Sequence, residues 1–381
     1  MFTFNTFNEK LLAYGFVPLF LLYVWRYFHS KGWLSYANNE RNQQILKKCP
    51  TIMNKTFTPT FWLQHRLLQT ALASNVKPII SDLKYVTEEI NMEGGGHTSL
   101  AWAIQNGEEK NSKQSKMLMV VIPGLTGAAH DKYVMDIVGN LLKNGYRCVV
   151  YQPRFNGGQL ILPQEGYLDI LKDFKATMDQ LRKKEKDVKL FGVGHSYGAN
   201  LLVNYLGSFE DNGFVGGVSI ANPWNLMLGE NKMRRTVVDR VMTDFLQKTA
   251  NRSSKSLADA TRFNLNLEDL LSFKHVRDFD RNFTIKVYGY ETVNDYYWAI
   301  SSCRKIKSIK VPLLLLNAED DPVVEAKGFV KEEIEHYSPN VILMMTPRGG
   351  HQGWVEGFFN LKRWYMKPTV EFVNAVVDIV E

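Results

Sequence analysis

The sequence predicts an α/β fold: a mostly parallel sheet of eight strands with helices on both faces and a helical cap inserted after the sixth strand. Short apolar runs alternate with segments of helical periodicity from residue 117 onward. Two earlier runs, near residue 90, are separated by only five residues. A stretch of about 90 residues interrupts the alternation after the sixth run, far more than an ordinary crossover needs.

Eight runs have the length and apolar character of strands. They are residues 84–91, 97–103, 117–122, 147–151, 188–193, 214–221, 311–317 and 341–346. The first two are joined by the glycine-rich stretch 92–96, which is short enough for a hairpin. The sheet is therefore expected to begin antiparallel.

Five segments between and after the later strands have helical periodicity. They are residues 132–142, 167–183, 199–206, 326–336 and 368–380. Helices that alternate with strands indicate crossover connections, and hence parallel strands. The long insertion, residues 222–310, is expected to form a cap over the ends of the strands.

The N-terminal region, residues 1–35, is predicted to be a membrane anchor. Residues 11–25 carry no charge, and Tyr27 and Phe28 extend the apolar run to about 18 residues, near the lower limit for a helix that spans a bilayer. More basic residues follow the run than precede it, which places the main domain in the cytosol. A helix lying in the membrane interface, or one packed in a soluble core, is the alternative.

The rest of the chain divides into an N-terminal extension with the first strands, residues 36–115, and a main α/β domain, residues 116–381. The net charge of +7 would suit an anionic membrane surface, but the chain lacks the dense basic and aromatic interleaving of nucleic-acid-binding proteins. Cys49, Cys148 and Cys303 are too few and too widely spaced for a disulfide framework or a zinc site. We expect no metal, no cofactor and a reducing environment.

The motif Gly194-His195-Ser196-Tyr197-Gly198 lies between a predicted strand and a predicted helix. A sharp turn at this place exposes the serine hydroxyl and forces strained backbone geometry. The residues two before and two after the serine must then be small, and both are glycine. We therefore predict that Ser196 is a catalytic nucleophile.

A serine nucleophile needs a histidine to take its proton and a carboxylate to orient that histidine. Asp320 and Asp321 follow the seventh predicted strand, and His351 follows the eighth. The chain order Ser, Asp, His is that of an α/β-hydrolase. Of the two aspartates we favour Asp320, three residues after the end of the strand, and Asp321 is the alternative.

The anionic oxygen of a tetrahedral intermediate needs two preorganised backbone N–H donors. One comes from the residue after the nucleophile, Tyr197, and the other from the loop after the third strand. That loop, residues 123–127, contains two glycines that let the backbone approach a ligand. We predict the N–H of Leu125 as the second donor.

These motifs resemble those of the membrane-anchored α/β-hydrolase-domain-containing lipases and esterases and their bacterial hydrolase relatives. The resemblance covers roughly residues 59–373. It is carried by PGLTG at 123–127, GHSYG at 194–198, NP at 222–223, FD at 279–280, GY at 289–290, YY at 296–297, NAEDDP at 317–322 and GGHQGW at 349–354. It implies Ser196 as nucleophile, one of the two aspartates as orienting acid and His351 as base. It also implies substrates among the acylglycerols and phospholipids.

The sequence therefore predicts a membrane-anchored serine hydrolase that cleaves carboxylic esters of lipids through an acyl-serine intermediate. An acyltransferase with the same triad is one alternative, and His275 and Asp280 have an H-x-x-x-x-D spacing found in acyltransferases. A non-catalytic lipid or hormone receptor on a hydrolase fold is the other. A receptor need not keep a complete Ser, Asp, His set.

Overall fold

The computed structural model describes residues 14–15, 17–28, 30–104, 116–156, 159–253, 261–329 and 331–380. Its main sheet has nine strands in the spatial order β1-β9-β8-β7-β6-β4-β5-β3-β2. They are β1 Trp33–Tyr36, β2 Lys84–Asn91, β3 His97–Ile104, β4 Met117–Ile122, β5 Arg147–Gln152, β6 Lys189–His195, β7 Phe214–Ile220, β8 Leu313–Ala318 and β9 Val341–Thr346.

All eight predicted strands are present, and the expected count was one too low. Strands β4 to β9 run parallel to one another, whereas β2 and β3 form the expected antiparallel hairpin. The additional strand, β1, pairs antiparallel with β9 at the edge of the sheet. Its four residues are too few to give a periodic signal in the sequence.

Helices on both faces of the sheet, in the N-terminal extension and in the cap make up most of the rest of the described fold. They are α1 Val17–Phe28, α2 Glu40–Lys47, α3 Pro50–Asn54, α4 Arg66–Ala73, α5 Lys132–Lys143, α6 Ile170–Lys184, α7 Tyr197–Ser208, α8 Leu226–Met233, α9 Val237–Arg252, α10 Leu267–Ser272, α11 Val276–Phe279, α12 Ile285–Tyr288, α13 Val293–Ile300, α14 Lys331–Tyr337 and α15 Met366–Val380. The five predicted helices correspond to α5, α6, α7, α14 and α15. Helix α14 begins later than predicted, since residues 326–328 form a separate 3₁₀ turn.

The hydrophobic core forms two layers, one on each face of the sheet. Every residue of β4, β5, β8 and β9 is buried, which explains why these strands are continuous apolar runs. Phe174 of α6 and Leu202 of α7 pack on one face together with residues of the cap. Val134 of α5 and Phe372 of α15 pack on the other face.

The segment between β7 and β8 contains helices α8 to α13, so the predicted insertion is helical. The N-terminal extension wraps the domain. For example, the backbone N–H of Thr51 in α3 donates to a carboxylate oxygen of Glu371 in α15 at 2.9 Å.

The predicted membrane anchor is described only in part, because residues 1–13, 16 and 29 lie outside the described residues. Helix α1 covers the remainder of the apolar run. No helix in the described part of the chain combines the length and the apolar character needed to cross a membrane.

Candidate active site

Ser196 lies at the turn between β6 and α7 with φ 50° and ψ −117°, a strained conformation for a residue other than glycine. The two glycines of the motif make this turn possible. A Cβ atom at Gly194 would lie 2.6 Å from the Cα of Ala199, and one at Gly198 would collide with the carbonyl of Pro123. The expectation that both positions must be small is confirmed.

Ser196 and His351, which are distant in sequence, meet at the carboxyl edge of the sheet. Ser196 Oγ lies 2.8 Å from His351 Nε2, and His351 Nδ1 lies 2.8 Å from Oδ2 of Asp321. The second oxygen of Asp321 accepts hydrogen bonds from the backbone N–H groups of Val323 and Val324 at 2.7 and 2.9 Å. The Asp321 side chain is fully buried, so its carboxylate has a fixed orientation.

The prediction that Asp320 orients His351 was wrong, because Asp321 is the aspartate that contacts the imidazole. Oδ1 of Asp320 accepts the backbone N–H of Gly350 at 2.9 Å, so this carboxylate bonds to the histidine loop and not to the imidazole. The loop turns at Pro322, and the amides of Val323 and Val324 then hold the Asp321 side chain toward His351. Burial, together with the neighbouring Asp321 carboxylate, raises the pKa of Asp320 to about 6.

The N-terminal extension supports the histidine loop, a contribution that sequence reasoning missed. Thr70 Oγ1 of α4 accepts the backbone N–H of His351 at 2.9 Å. Gln69, its neighbour, accepts the backbone N–H of Val355 at 2.7 Å and donates to the carbonyl of Leu63 at 2.8 Å. Thr70 and Gln69 lie outside any recognisable motif, so the sequence offered no signal for this role.

The loop after β4 lies directly against the nucleophile. A Cβ atom on Gly124 would be 3.4 Å from Cβ of Ser196. The N–H of Gly124 donates to the Tyr133 hydroxyl at 2.9 Å, which leaves Leu125 as the next amide of this loop. Tyr197 is the first residue of α7, and the first amides of a helix have no partner within the helix. Leu125 and Tyr197 line the same cavity as Ser196.

That cavity has a volume of about 130 Å³ and lies between Ser196 and the cap. Apolar side chains form much of its wall, among them Leu226 and Met233 of α8 and Met242 and Leu246 of α9. The arrangement can accommodate an apolar group next to the serine hydroxyl.

The H-x-x-x-x-D spacing of His275 and Asp280 does not bring these two residues into one pair. His275 Nδ1 lies 2.8 Å from Oδ2 of Asp239. Asp280 instead accepts hydrogen bonds from Thr284 Oγ1 at 2.6 Å and from Tyr297 Oη at 2.5 Å. Both residues therefore have partners that stabilise the cap.

His195, inside the serine motif, is completely buried between the rings of Tyr133 and Tyr365. Burial lowers its pKa to about 3, so the imidazole is neutral at pH 7. In the described chain, no group of three or more His, Cys, Asp or Glu side chains is placed to hold a metal ion.

Comparison with known proteins agrees with this architecture. A family model described as the alpha/beta hydrolase fold matches residues 118–358. Phospholipase ABHD3 of Mus musculus is 27% identical over 374 residues, with 96% of this chain and 90% of that protein covered. Monoacylglycerol lipase ABHD2 of Mus musculus is 25% identical, with 90% and 85% covered. Medium-chain fatty acid ethyl ester synthase/esterase 2 of Saccharomyces cerevisiae is 27% identical, with 69% and 63% covered.

The matched residues include the serine, aspartate and histidine described above and extend over more than half of the chain. The resemblance to α/β-hydrolase-domain-containing lipases and esterases is confirmed. The chain belongs to the α/β-hydrolase-fold family.

Proposed function

We propose that this protein is a serine hydrolase that cleaves carboxylic esters of lipids through an acyl-serine intermediate. The observation that carries the proposal is the continuous hydrogen-bonded set of Ser196, His351 and Asp321, in which each contact is 2.8 Å. A hydroxyl, an imidazole and a buried carboxylate in this order form a nucleophile, a base and an orienting group.

In the proposed reaction, His351 Nε2 takes the proton of Ser196 as its Oγ attacks the ester carbonyl carbon. The resulting oxyanion is stabilised by the N–H groups of Leu125 and Tyr197, close to the positive end of the α7 dipole. The imidazolium is stabilised by Asp321 and returns the proton to the leaving alkoxide, which leaves an acyl-serine. Water, activated by His351 in the same way, then releases the fatty acid and regenerates the hydroxyl.

A lipid ester is supported as substrate by the apolar wall of the cavity beside Ser196 and by the names of the relatives. An acyl chain would occupy the cavity between Ser196 and helices α8 and α9. We also propose that the apolar N-terminal segment associates with a membrane and that the catalytic domain lies on its cytosolic side, since basic residues follow the segment.

Transfer of the acyl group to an alcohol is the second candidate, because the yeast relative is named as both an ester synthase and an esterase. The same acyl-serine would react with an alcohol in place of water. Addition of ethanol during turnover separates the two: a hydrolase yields mainly the free acid, and a synthase yields mainly the ethyl ester.

Hydrolysis of a panel of monoacylglycerols and phospholipids by the purified protein tests the proposal, with release of fatty acid measured by mass spectrometry. We expect release by the wild-type protein and none above background by Ser196→Ala. Equal release by the two proteins would contradict the proposal.

A further inference from the structure

Three large aromatic side chains form an exposed patch in and beside the segment that follows the histidine loop. Phe359 is 91% exposed, Phe358 is 56% exposed and Trp62 is 49% exposed. The rings of Phe358 and Phe359 contact each other at 4.6 Å between centroids, and Trp62 Nε1 donates to the carbonyl of Phe358 at 3.4 Å. We call these three residues the aromatic tip. Adjacent exposed aromatic residues of this size are typical of an interaction surface.

The aromatic tip stands on a rigid base. Phe358 and Phe359 lie at the turn of a short hairpin in which Val355 pairs with Arg363. The buried guanidinium of Arg363 donates to Asp136 and to the carbonyl of Ala73, each at 2.8 Å. The loop that carries the exposed rings is thus anchored to the body of the protein through the buried side chain of Arg363.

The hairpin is also part of the histidine loop. Val355 follows His351 by four residues, and its backbone N–H donates to Gln69 of α4. The adjacent residue, Thr70, accepts the backbone N–H of His351. Helix α4 therefore holds both His351 and the base of the hairpin, which fixes the position of the aromatic tip relative to the catalytic histidine.

The apolar N-terminal segment arrives at the carboxyl ends of the parallel strands, where the histidine loop also begins. Because β1 runs antiparallel to β9, Trp33 lies opposite Met345, at the end of β9 from which the histidine loop departs. Just before β1, Lys31 pairs with Thr56. Thr56 precedes Trp62 by only six residues, a distance of at most about 20 Å.

We propose that the aromatic tip inserts into the headgroup region of the lipid bilayer and turns the catalytic edge of the sheet toward the membrane. This proposal rests on the function proposed above and adds the surface through which the enzyme meets its substrate. A bilayer is the occupant favoured by the aromatic chemistry, since Trp and Phe side chains partition into this region. The short chain from Thr56 to Trp62 also connects the aromatic tip to the place where the apolar N-terminal segment arrives, which favours the same occupant.

A second exposed apolar surface provides a comparison. Helix α9 of the cap presents Val237, Val241 and Phe245 to solvent at four-residue intervals. This stripe lies on the cap and not on the histidine loop. A fluorophore at Phe245 therefore reports whether the cap, in place of the aromatic tip, meets the membrane.

The test uses the chain of 381 residues with Cys303→Ser, since the other two cysteines are buried. Phe359→Cys, Phe245→Cys and Lys183→Cys are each labelled with an environment-sensitive fluorophore and mixed with vesicles of phosphatidylcholine and phosphatidylserine. Lys183 is exposed on α6 and serves as the control. We expect the Phe359 probe to shift to the blue and to be quenched by doxyl-labelled lipids, and the Lys183 probe to be unchanged.

Several results would overturn the proposal. They are a Phe359 probe that stays water-exposed on bound vesicles, insertion only at Phe245, and no flotation of the protein with vesicles. A Phe359 probe already shifted before vesicles are added would also overturn it, because the patch would then be covered by the protein itself.

Catalysis provides a second readout. We expect Phe358→Ser with Phe359→Ser to lower kcat/KM about tenfold or more on a long-chain ester in vesicles, since two large rings lose their apolar contact. Activity on a short, soluble ester should be unchanged. Equal activity of variant and wild type on vesicles would contradict the proposal. If the wild type fails to cleave the soluble ester, the hydrolase assignment fails instead, and the fluorescence result still stands.

Discussion

Thr70 Oγ1 accepts a hydrogen bond of 2.9 Å from the backbone N–H of His351, although 281 residues separate them in sequence. Thr70 belongs to the N-terminal extension, and His351 follows the last strand of the sheet. The extension therefore fixes the loop that carries the base, and the active site depends on residues well outside the central α/β core.

Loss of this hydrogen bond should loosen the loop without unfolding the protein. We expect Thr70→Ala to lower kcat for ester hydrolysis about fivefold, because one hydrogen bond contributes about 1 kcal/mol and His351 must stay in line with Ser196. Thr70→Ser keeps the hydroxyl and should remain near wild type. Steady-state kinetics on a soluble ester would measure both, and full activity in Thr70→Ala would show that the contact does not matter for positioning.

The two neighbouring aspartates should differ strongly in their effect on catalysis. Asp321→Asn should lower kcat about 10⁴-fold, since an amide cannot hold the same imidazole tautomer or stabilise the imidazolium. Asp320→Asn keeps an oxygen for the Gly350 N–H and should cost far less. Kinetics of the two variants on one ester decide the matter, and a larger loss in Asp320→Asn would refute the assignment drawn from the geometry.

Asp320 should also make stability depend on pH. Its folded pKa of about 6 exceeds the unfolded value of about 3.9, so the folded state binds more protons between these values. Its contribution to the free energy of unfolding therefore falls as pH rises from about 4 to about 6, by at most roughly 3 kcal/mol. As pH rises from 4 to 7, the free energy of unfolding of Asp320→Asn, measured by urea denaturation, should increase relative to that of the wild type. A difference in the free energy of unfolding that stays constant across this pH range would contradict the prediction.

His195 should make stability depend on pH in the opposite direction to Asp320. Burial lowers its folded pKa to about 3, while the unfolded imidazole titrates near 6.5. Below pH 6.5 the unfolded state binds the extra proton, so stability is lost as pH falls toward about 3. His195→Phe fits a ring between Tyr133 and Tyr365 and should lose less stability than wild type between pH 7.5 and 5. Thermal melts at the two pH values measure the change. An equal fall in Tm for the wild type and for His195→Phe would contradict the prediction.

The strands, and the positions of the catalytic serine and histidine, could be predicted from the sequence because they depend on local patterns. Fully buried strands such as β8 are continuous apolar runs, and the turn at Ser196 requires glycine on both sides. The choice between Asp320 and Asp321 could not be predicted in the same way, because it depends on how the loop turns at Pro322. The amides of Val323 and Val324 hold Asp321 inward, a contact that only the folded backbone defines.

Other features depend on contacts between distant parts of the chain. Strand β1 has four residues and is specified by its pairing with β9, which residue periodicity does not show. Thr70 is one hydroxyl in a segment of mixed polar and apolar residues, and its role appears only when α4 packs beside the histidine loop. Sequence patterns identify groups that act locally, whereas these positions are set by tertiary packing.

The central claim, that Ser196 is the nucleophile of an ester hydrolase, is tested most directly by covalent labelling. The wild-type protein and Ser196→Ala are treated with a fluorophosphonate, and the modified peptide is located by mass spectrometry. We predict an adduct on Ser196 in the wild type, none in the variant, and a loss of turnover by several orders of magnitude. An adduct on another residue, or undiminished turnover in Ser196→Ala, would contradict the claim.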